Sequence, residues 1–148
     1  MAKHDPLDTV LKLALEAEEK AALQLKSVQI TLKKCLDQQQ ALQNYRLDYM
    51  KQMEQQQGSV ISASNYHQFH QFIRQIDDAI SQQVIAVSQA EVQKSHSQQN
   101  WQAKQQKRKA VELLLEHKAD QRALLARKQE QKMTDEFASQ QFFRQPRR

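Results

Sequence analysis

Residues 7–49 read LDTVLKLALEAEEKAALQLKSVQITLKKCLDQQQALQNYRLDY, and this stretch decides the fold. Every seventh position is apolar or nearly so, which places these side chains on one face of a helix. The series is Leu7, Ala14, Ala21, Val28, Cys35, Leu42 and Tyr49. The predicted companion positions are Val10, Ala17, Leu25, Leu32, Tyr45 and Met53, with Gln38 and Gln39 interrupting them. This pattern predicts a long helix that pairs with another helix along a seam, the line of contact in a coiled coil.

A second periodic run follows the only glycine of the chain. Gly58 lies between glutamines and a Ser- and Asn-containing segment, which predicts a chain reversal over about residues 57–64. The second run contains Tyr66, Phe69, Phe72, Ile73, Ile76, Ala79, Ile80, Val84, Val87 and Ala90, thins through Lys94, Ser97, Trp101 and Lys104, and returns at Val111, Leu114, Leu115, Leu124 and Leu125. We therefore predict an all-α protein, a long antiparallel two-helix coiled-coil hairpin whose second helix is longer than the first.

The predicted domain organisation is a single hairpin over residues 1–148. Asp5 can cap the first helix and Pro6 suits its first position, so helix one is expected over about residues 6–56. Helix two is expected over about residues 65–140, with a flexible tail at 141–148. If the chain reverses near residue 60, the start of helix one lies opposite about residue 115 of helix two. The rest of helix two should overhang and fray until a partner covers it.

Composition argues against an enzyme. The chain has one Gly and two Pro, and it contains no glycine-rich phosphate loop and no nucleophile elbow. His67 and His70 stand three residues apart but lack a third metal ligand, and Cys35 is a small seam hydrophobe. We expect no catalytic, cofactor or metal site and no small-molecule substrate. Without an 18-residue apolar run or a signal-peptide pattern, a cytoplasmic protein is expected.

The charge is concentrated towards the C-terminus. Residues 1–58 carry 8 basic and 8 acidic groups, whereas residues 104–148 carry 12 basic and 6 acidic groups. Such a segment attracts acidic partners. The basic run at residues 104–109 has no interleaved aromatic residues to stack on bases, and Glu112 follows it, so a nucleic-acid partner is disfavoured. A basic coiled-coil nucleic-acid binder nevertheless remains an alternative.

One cluster near the reversal combines aromatic, aliphatic and amide side chains. This aromatic stripe comprises Gln38, Leu42, Tyr45 and Tyr49 on helix one and Phe72, Ile76, Ala79 and Gln83 on helix two. Periodicity alone assigns it to the seam. Tyr hydroxyls and Gln amides are poorly suited to a dry seam, however, and Ile73, Ile80, Val84 and Val87 give helix two a second apolar face. The aromatic stripe could therefore face outwards as a docking site.

Several short motifs resemble the flagellar export protein FliJ family over nearly the whole length. They are the opening Met1-Ala2-x-His4, Phe72-Ile73 with Ala79-Ile80 after it, Trp101, and Gln131-Lys132-Met133 with Asp135-Glu136-Phe137-Ala138. The resemblance implies a central stalk that inserts into the hexameric flagellar export ATPase FliI, contacts the export gate protein FlhA and handles empty export chaperones. It also implies a role in flagellum assembly, and hence in motility and chemotaxis, by a protein docked at the inner face of the cell membrane.

The resemblance also implies which residues meet the export gate, whereas the charge distribution indicates which residues meet the ATPase ring. The family's gate-binding residues correspond to the aromatic stripe, in which Ile76 replaces a different aliphatic residue and Gln83 stands where the family can have His. The basic end is expected to meet the ATPase ring through Lys104, Lys107, Arg108, Lys109, Lys118, Arg122, Arg127 and Lys128. A monomer is expected in isolation. The alternatives left open are the stalk of a virulence-type secretion system and a coiled coil whose seam forms between chains.

Overall fold

The computed structural model describes residues 5–56 and 63–144. Two helices account for all of them except Asp5 and Gln56: α1 spans Pro6–Gln55 and α2 spans Ala63–Arg144. The predicted all-α hairpin with a longer second helix is confirmed. Residues 63–64 and 141–144, assigned from sequence to the reversal and the tail, are helical. Residues 57–62 of the predicted reversal and 145–148 of the predicted tail lie outside the described residues.

Helix α1 begins at Pro6 because Asp5 caps it. The backbone amide of Leu7 donates to Oδ1 of Asp5 at 2.9 Å, and the amide of Asp8 donates to the Asp5 carbonyl at 2.9 Å. These bonds satisfy amides that have no partner within the helix, and Pro6 has no amide proton to satisfy. The sequence prediction of an Asp-Pro helix start therefore holds.

The chain forms two compact units. The terminal unit consists of the described parts of Met1–Glu18 and Lys104–Arg148, and the central unit consists of those of Glu19–Ala103. In each unit, the residue numbers on α2 rise as those of the facing residues on α1 fall, so the helices run antiparallel. The central unit, for example, pairs Arg46 with Asp77 and Cys35 with Gln83.

The seam follows an alternating spacing of three and four residues. In the central unit, Leu32, Val87 and Ala90 form a buried cluster against which Cys35 packs. Each helix buries a single narrow face there, and no side chain of the described residues is fully enclosed. Most of the stability of such a seam comes from this thin apolar layer.

The companion series predicted on α1 is only partly right. Val10 and Tyr45 are exposed, whereas Leu25, Leu32 and Met53 lie in the seam as predicted. The seam positions assigned from sequence to Val10 and Tyr45 are taken by neighbours one residue later, Leu11 and Arg46. On α2, Tyr66, Val84, Leu114, Leu124 and Leu125 were also predicted in the run and are exposed. A polar seam residue such as Arg46 could not be predicted, because the pattern was built from apolar residues alone.

The terminal unit ends in an overhang. Ala14 and Val111 are buried, and Leu115 is the last residue of α2 that is not exposed. Every residue from 116 to 144 is exposed, as expected for a helix that extends beyond the start of α1. We call residues 116–144 the overhang. Its helical conformation is described to Arg144, and the expected fraying remains a prediction.

Leu32→Ala should lower the free energy of unfolding by about 2–3 kcal/mol, because it removes a side chain packed on Val87 and Ala90 and leaves a cavity. Leu36→Ala is the matched control, since Leu36 is 43 % exposed whereas Leu32 is 8 % exposed. The control should cost less than about 1 kcal/mol. Urea denaturation followed by circular dichroism measures both values. Equal losses would show that Leu36 is packed in the seam as closely as Leu32.

Candidate docking surfaces

The amides of the aromatic stripe are paired across the two helices. Nε2 of Gln83 donates to the backbone carbonyl of Cys35 at 2.8 Å and to Oε1 of Gln38 at 3.2 Å. A half-buried amide paired in this way costs little to bury. Gln83 therefore fits the seam position that it occupies, and its orientation is fixed by two bonds.

The aromatic rings of the stripe form one packed group. Tyr49 and Phe72 lie 4.5 Å apart between ring centroids, and Tyr45 meets Phe72 edge to face at 5.9 Å. Phe69, which the predicted stripe did not include, stacks on Tyr49 at 5.2 Å. Contacts of this geometry stabilise aromatic pairs beyond the area that they bury. The rings are thus held in place before any partner arrives.

The structure divides the aromatic stripe by exposure. Ile76 is buried, 5 % exposed, and is a seam residue. Tyr45, 53 % exposed, and Gln38 are at the surface, and the half-buried members are Leu42, Tyr49, Phe72, Ala79 and Gln83. The prediction that the stripe faces outwards therefore describes Tyr45 and Gln38 best. A partner would meet one edge of the stripe.

A shallow groove of about 540 Å³ runs along that edge. Gln38, Ala41, Leu42, Tyr45 and Gln83 line it. Sequence reasoning missed Ala41, although it lies three residues after Gln38 and four before Tyr45, and so falls on the same helix face. An apolar groove flanked by amides and a tyrosine hydroxyl can hold the side chains of a protein segment.

Some of the basic residues that were predicted to meet the ATPase ring already form ion pairs within the protein. Arg108 is held between two carboxylates: its Nε bonds to Glu18 on α1, and its Nη1 bonds to Glu112 at 2.9 Å. The hydrogen bond to Glu18, supported by the one to Glu112, raises the pKa of Arg108. Arg108 and Glu18 are both mostly covered, so Arg108 stabilises the terminal unit.

Asp5 ties the start of α1 to the base of the overhang. Its Oδ2 lies 3.4 Å from Nζ of Lys118 and 3.4 Å from Nη2 of Arg122, and its side chain is only 8 % exposed. The hydrogen bond from the Leu7 amide, followed by the charges of Lys118 and Arg122, lowers the pKa of Asp5 against the opposing effect of burial. Of the eight predicted cations, Lys104, Lys107, Lys109, Arg127 and Lys128 have no ion-pair partner among the described residues.

Asp5→Ala should expose the first turn of α1 to amide exchange more than Asp5→Asn does, because Asn keeps the cap but loses the ion pairs. The folded-state pKa of Asp5 lies below its ordinary value of 3.8, so its stabilising effect is complete above pH 3.8. The effect disappears as the pH falls through the folded-state pKa. Protection factors of the Leu7 and Asp8 amides, measured against pH, should therefore converge for wild type and Asp5→Asn in acid. A constant difference at all pH values would contradict this account.

The described part of the chain was expected to contain neither a metal site nor a membrane-spanning segment. No group of three or more His, Cys, Asp or Glu side chains there could hold a metal ion. His70 packs instead against the rings of Tyr66, at 4.3 Å, and Phe69, at 5.4 Å. Neither described helix contains a segment long and apolar enough to span a membrane.

Comparison with known proteins gives the context of these surfaces. A sequence model of the Flagellar FliJ protein family matches residues 3–147. The chain belongs to the FliJ family. It is 25 % identical over 146 residues to the flagellar FliJ protein of Salmonella typhi, a match that covers 99 % of each chain. It is 26 % identical over 146 residues to the FliJ protein of Escherichia coli strain K12, again over 99 % of each chain.

Membership of the FliJ family confirms the resemblance inferred from sequence and makes this chain a flagellar export component. The family match extends across both helices, so it includes the aromatic stripe and the overhang alike. Both relatives are named as flagellar proteins, which favours the flagellar assignment over the virulence-type alternative.

Proposed function

We propose that this member of the FliJ family acts without catalysis, as a stalk that couples two parts of the flagellar export apparatus. The overhang and the basic residues at its base enter the ring of the hexameric export ATPase FliI. The exposed edge of the aromatic stripe binds the export gate protein FlhA. Export chaperones are further partners, and the protein docks at the inner face of the cell membrane through the gate.

The overhang is the observation that carries the stalk proposal. It is a single helix of 29 residues, about 43 Å long and about 10–12 Å across, with every residue exposed. Arg127 and Lys128 lie on it without ion-pair partners among the described residues, so a ring with acidic inner loops would attract it. Leu125 and Phe137 are exposed there as well, and burial inside a ring would remove both from water.

The exposed edge of the aromatic stripe supports the gate contact. Tyr45 is a large, exposed and amphipathic side chain whose ring is already held against Phe72. Tyrosines placed in this way are frequent binding hot spots, because little conformational entropy is lost when a partner covers them. The groove beside Tyr45 can take an apolar side chain of the partner.

Co-purification tests the proposal directly. The full-length protein should co-elute with the nucleotide-bound hexameric export ATPase in gel filtration, and the purified cytoplasmic part of the gate should bind it separately. Each complex should persist when the surface of the other is altered by mutation. If the protein binds neither partner at micromolar concentration, the stalk proposal fails.

A further inference from the structure

The terminal unit contains a second groove, and the stalk proposal assigns no occupant to it. It has a volume of about 420 Å³ and lies between α1 and α2. Its lining residues are Val10, Leu13, Ala14, Ala17, Lys104 and Lys107. The aromatic stripe belongs to the central unit, so this groove is a separate feature of the molecule.

The α1 side of the groove is apolar. Ala14 and Ala17 are small, which leaves a depression, and Leu13 and Val10 stand at its edge. Leu13 is 60 % exposed, although the removal of a leucine side chain from water is favourable in free energy. Leu13 lies four residues before Ala17 and three after Val10, so the three side chains share one helix face. An exposed leucine beside a depression is suited to contact with another apolar surface.

The α2 side of the groove is cationic. Lys104 and Lys107 lie one turn apart, and neither has an ion-pair partner among the described residues. The carboxylate of Glu18, on the facing helix, is already bonded to Arg108. An occupant that brings its own carboxylates would therefore pair with both lysines without displacing an existing ion pair.

We propose that this groove binds an acidic amphipathic helix from a protein partner. A third helix packed on a two-helix pair places apolar side chains at i, i+3, i+4 and i+7 in the groove, and here its flanking Glu or Asp residues would meet Lys104 and Lys107. A second copy of this chain is a poorer occupant, because the terminal unit carries an excess of positive charge that would repel its copy. A nucleic acid would leave the apolar half of the groove in water.

A designed peptide is the probe. It is a fluorescein-labelled helix of about 21 residues with Leu at the seam positions and Glu beside them, and the glutamates keep it from pairing with itself. Fluorescence anisotropy with the full-length protein should show saturable binding that weakens as salt is added. The same peptide with Lys in place of Glu should bind at least about tenfold more weakly, since like charges would then face Lys104 and Lys107.

Matched variants locate the binding site. Leu13→Asp, and separately Lys104→Glu combined with Lys107→Glu, should each weaken peptide binding at least about tenfold. Leu15→Asp and Lys12→Glu are the controls, since both residues are exposed on α1 but do not line the groove. The controls should change the affinity less than about twofold. Circular dichroism checks the fold, and the two surface lysines provide a test even if Leu13→Asp does not fold.

Three results would overturn the inference: no binding to the wild-type protein, equal binding of the Lys and Glu peptides, or equal losses in the groove and control variants. Self-association that depends on Leu13, seen in sedimentation, would assign the groove to a second copy instead. The export ATPase is absent from this experiment. A negative result therefore leaves the stalk proposal standing, and failure of the protein to bind the ATPase would leave this result standing.

Discussion

Arg127→Glu combined with Lys128→Glu is expected to weaken binding to the hexameric export ATPase on the order of a hundredfold. Both side chains are exposed on the overhang and neither is paired with a carboxylate in the described part of the chain. Reversal of two charges inside an acidic ring replaces attraction with repulsion, which costs several kcal/mol, and each 1.4 kcal/mol corresponds to a factor of ten. Any effect of the protein on ATPase turnover should disappear in parallel.

A matched double variant separates this site from net charge. Lys26→Glu with Lys33→Glu makes the same change in charge on exposed residues of the central unit. It should bind the ATPase within about threefold of wild type, since distant exposed charges are screened by salt. Titration of ATPase turnover with each variant gives the apparent affinity. Equal losses in both variants would mean that overall charge, and not the overhang, attracts the ring.

Tyr45→Ala should weaken gate binding about thirtyfold while the hairpin keeps its stability. Tyr45 is exposed and meets Phe72 edge to face, so its loss should lower the free energy of unfolding by no more than about 1 kcal/mol. At the interface, truncation of a central tyrosine costs about 2 kcal/mol or more. Tyr49 and Phe72 are less selective probes, because their rings pack on each other.

Two controls accompany Tyr45→Ala. Tyr66→Ala removes an aromatic residue of similar exposure outside the aromatic stripe and should leave gate binding unchanged. Ile76→Ala should instead lower the free energy of unfolding by about 2–3 kcal/mol, since Ile76 is buried in the seam. Isothermal titration calorimetry with the gate fragment and thermal unfolding give the two quantities. A large stability loss for Tyr45→Ala would assign Tyr45 to the seam.

The heptad series on α1 predicted the fold because apolar side chains carry most of the seam. Its seven positions are all at least partly buried, and the overhang begins where the sequence placed it, after Leu115. The companion positions were harder to predict. Glu18 and Arg46 occupy seam positions because Arg108 and Asp77 on the other helix pair with them. The spacing of apolar residues on one helix does not show which charged residue lies opposite on the other helix.

The exposure of the candidate docking residues was only partly predictable from sequence. The residue types of the aromatic stripe marked a place where the seam changes character, but exposure depends on how the two helices are rotated against each other. That rotation buries Ile76 and leaves Tyr45 outside. The basic set was likewise predicted from charge alone, and only the structure shows that Arg108 pairs with Glu18 and that Lys118 and Arg122 pair with Asp5.

The ion pairs of the terminal unit also determine how far α2 extends beyond the start of α1. Two helices with heptad repeats can in principle slide past each other by seven residues and still match apolar faces, and such a slip would move the tip of α2 by about 10 Å relative to the start of α1. A slip would separate Glu18 from Arg108 and Asp5 from Lys118. Distances between spin labels on the two helices would detect it in variants that lack these carboxylates. These four charged side chains thus fix the register of the two helices in the terminal unit, and with it the length of α2 that extends beyond the start of α1.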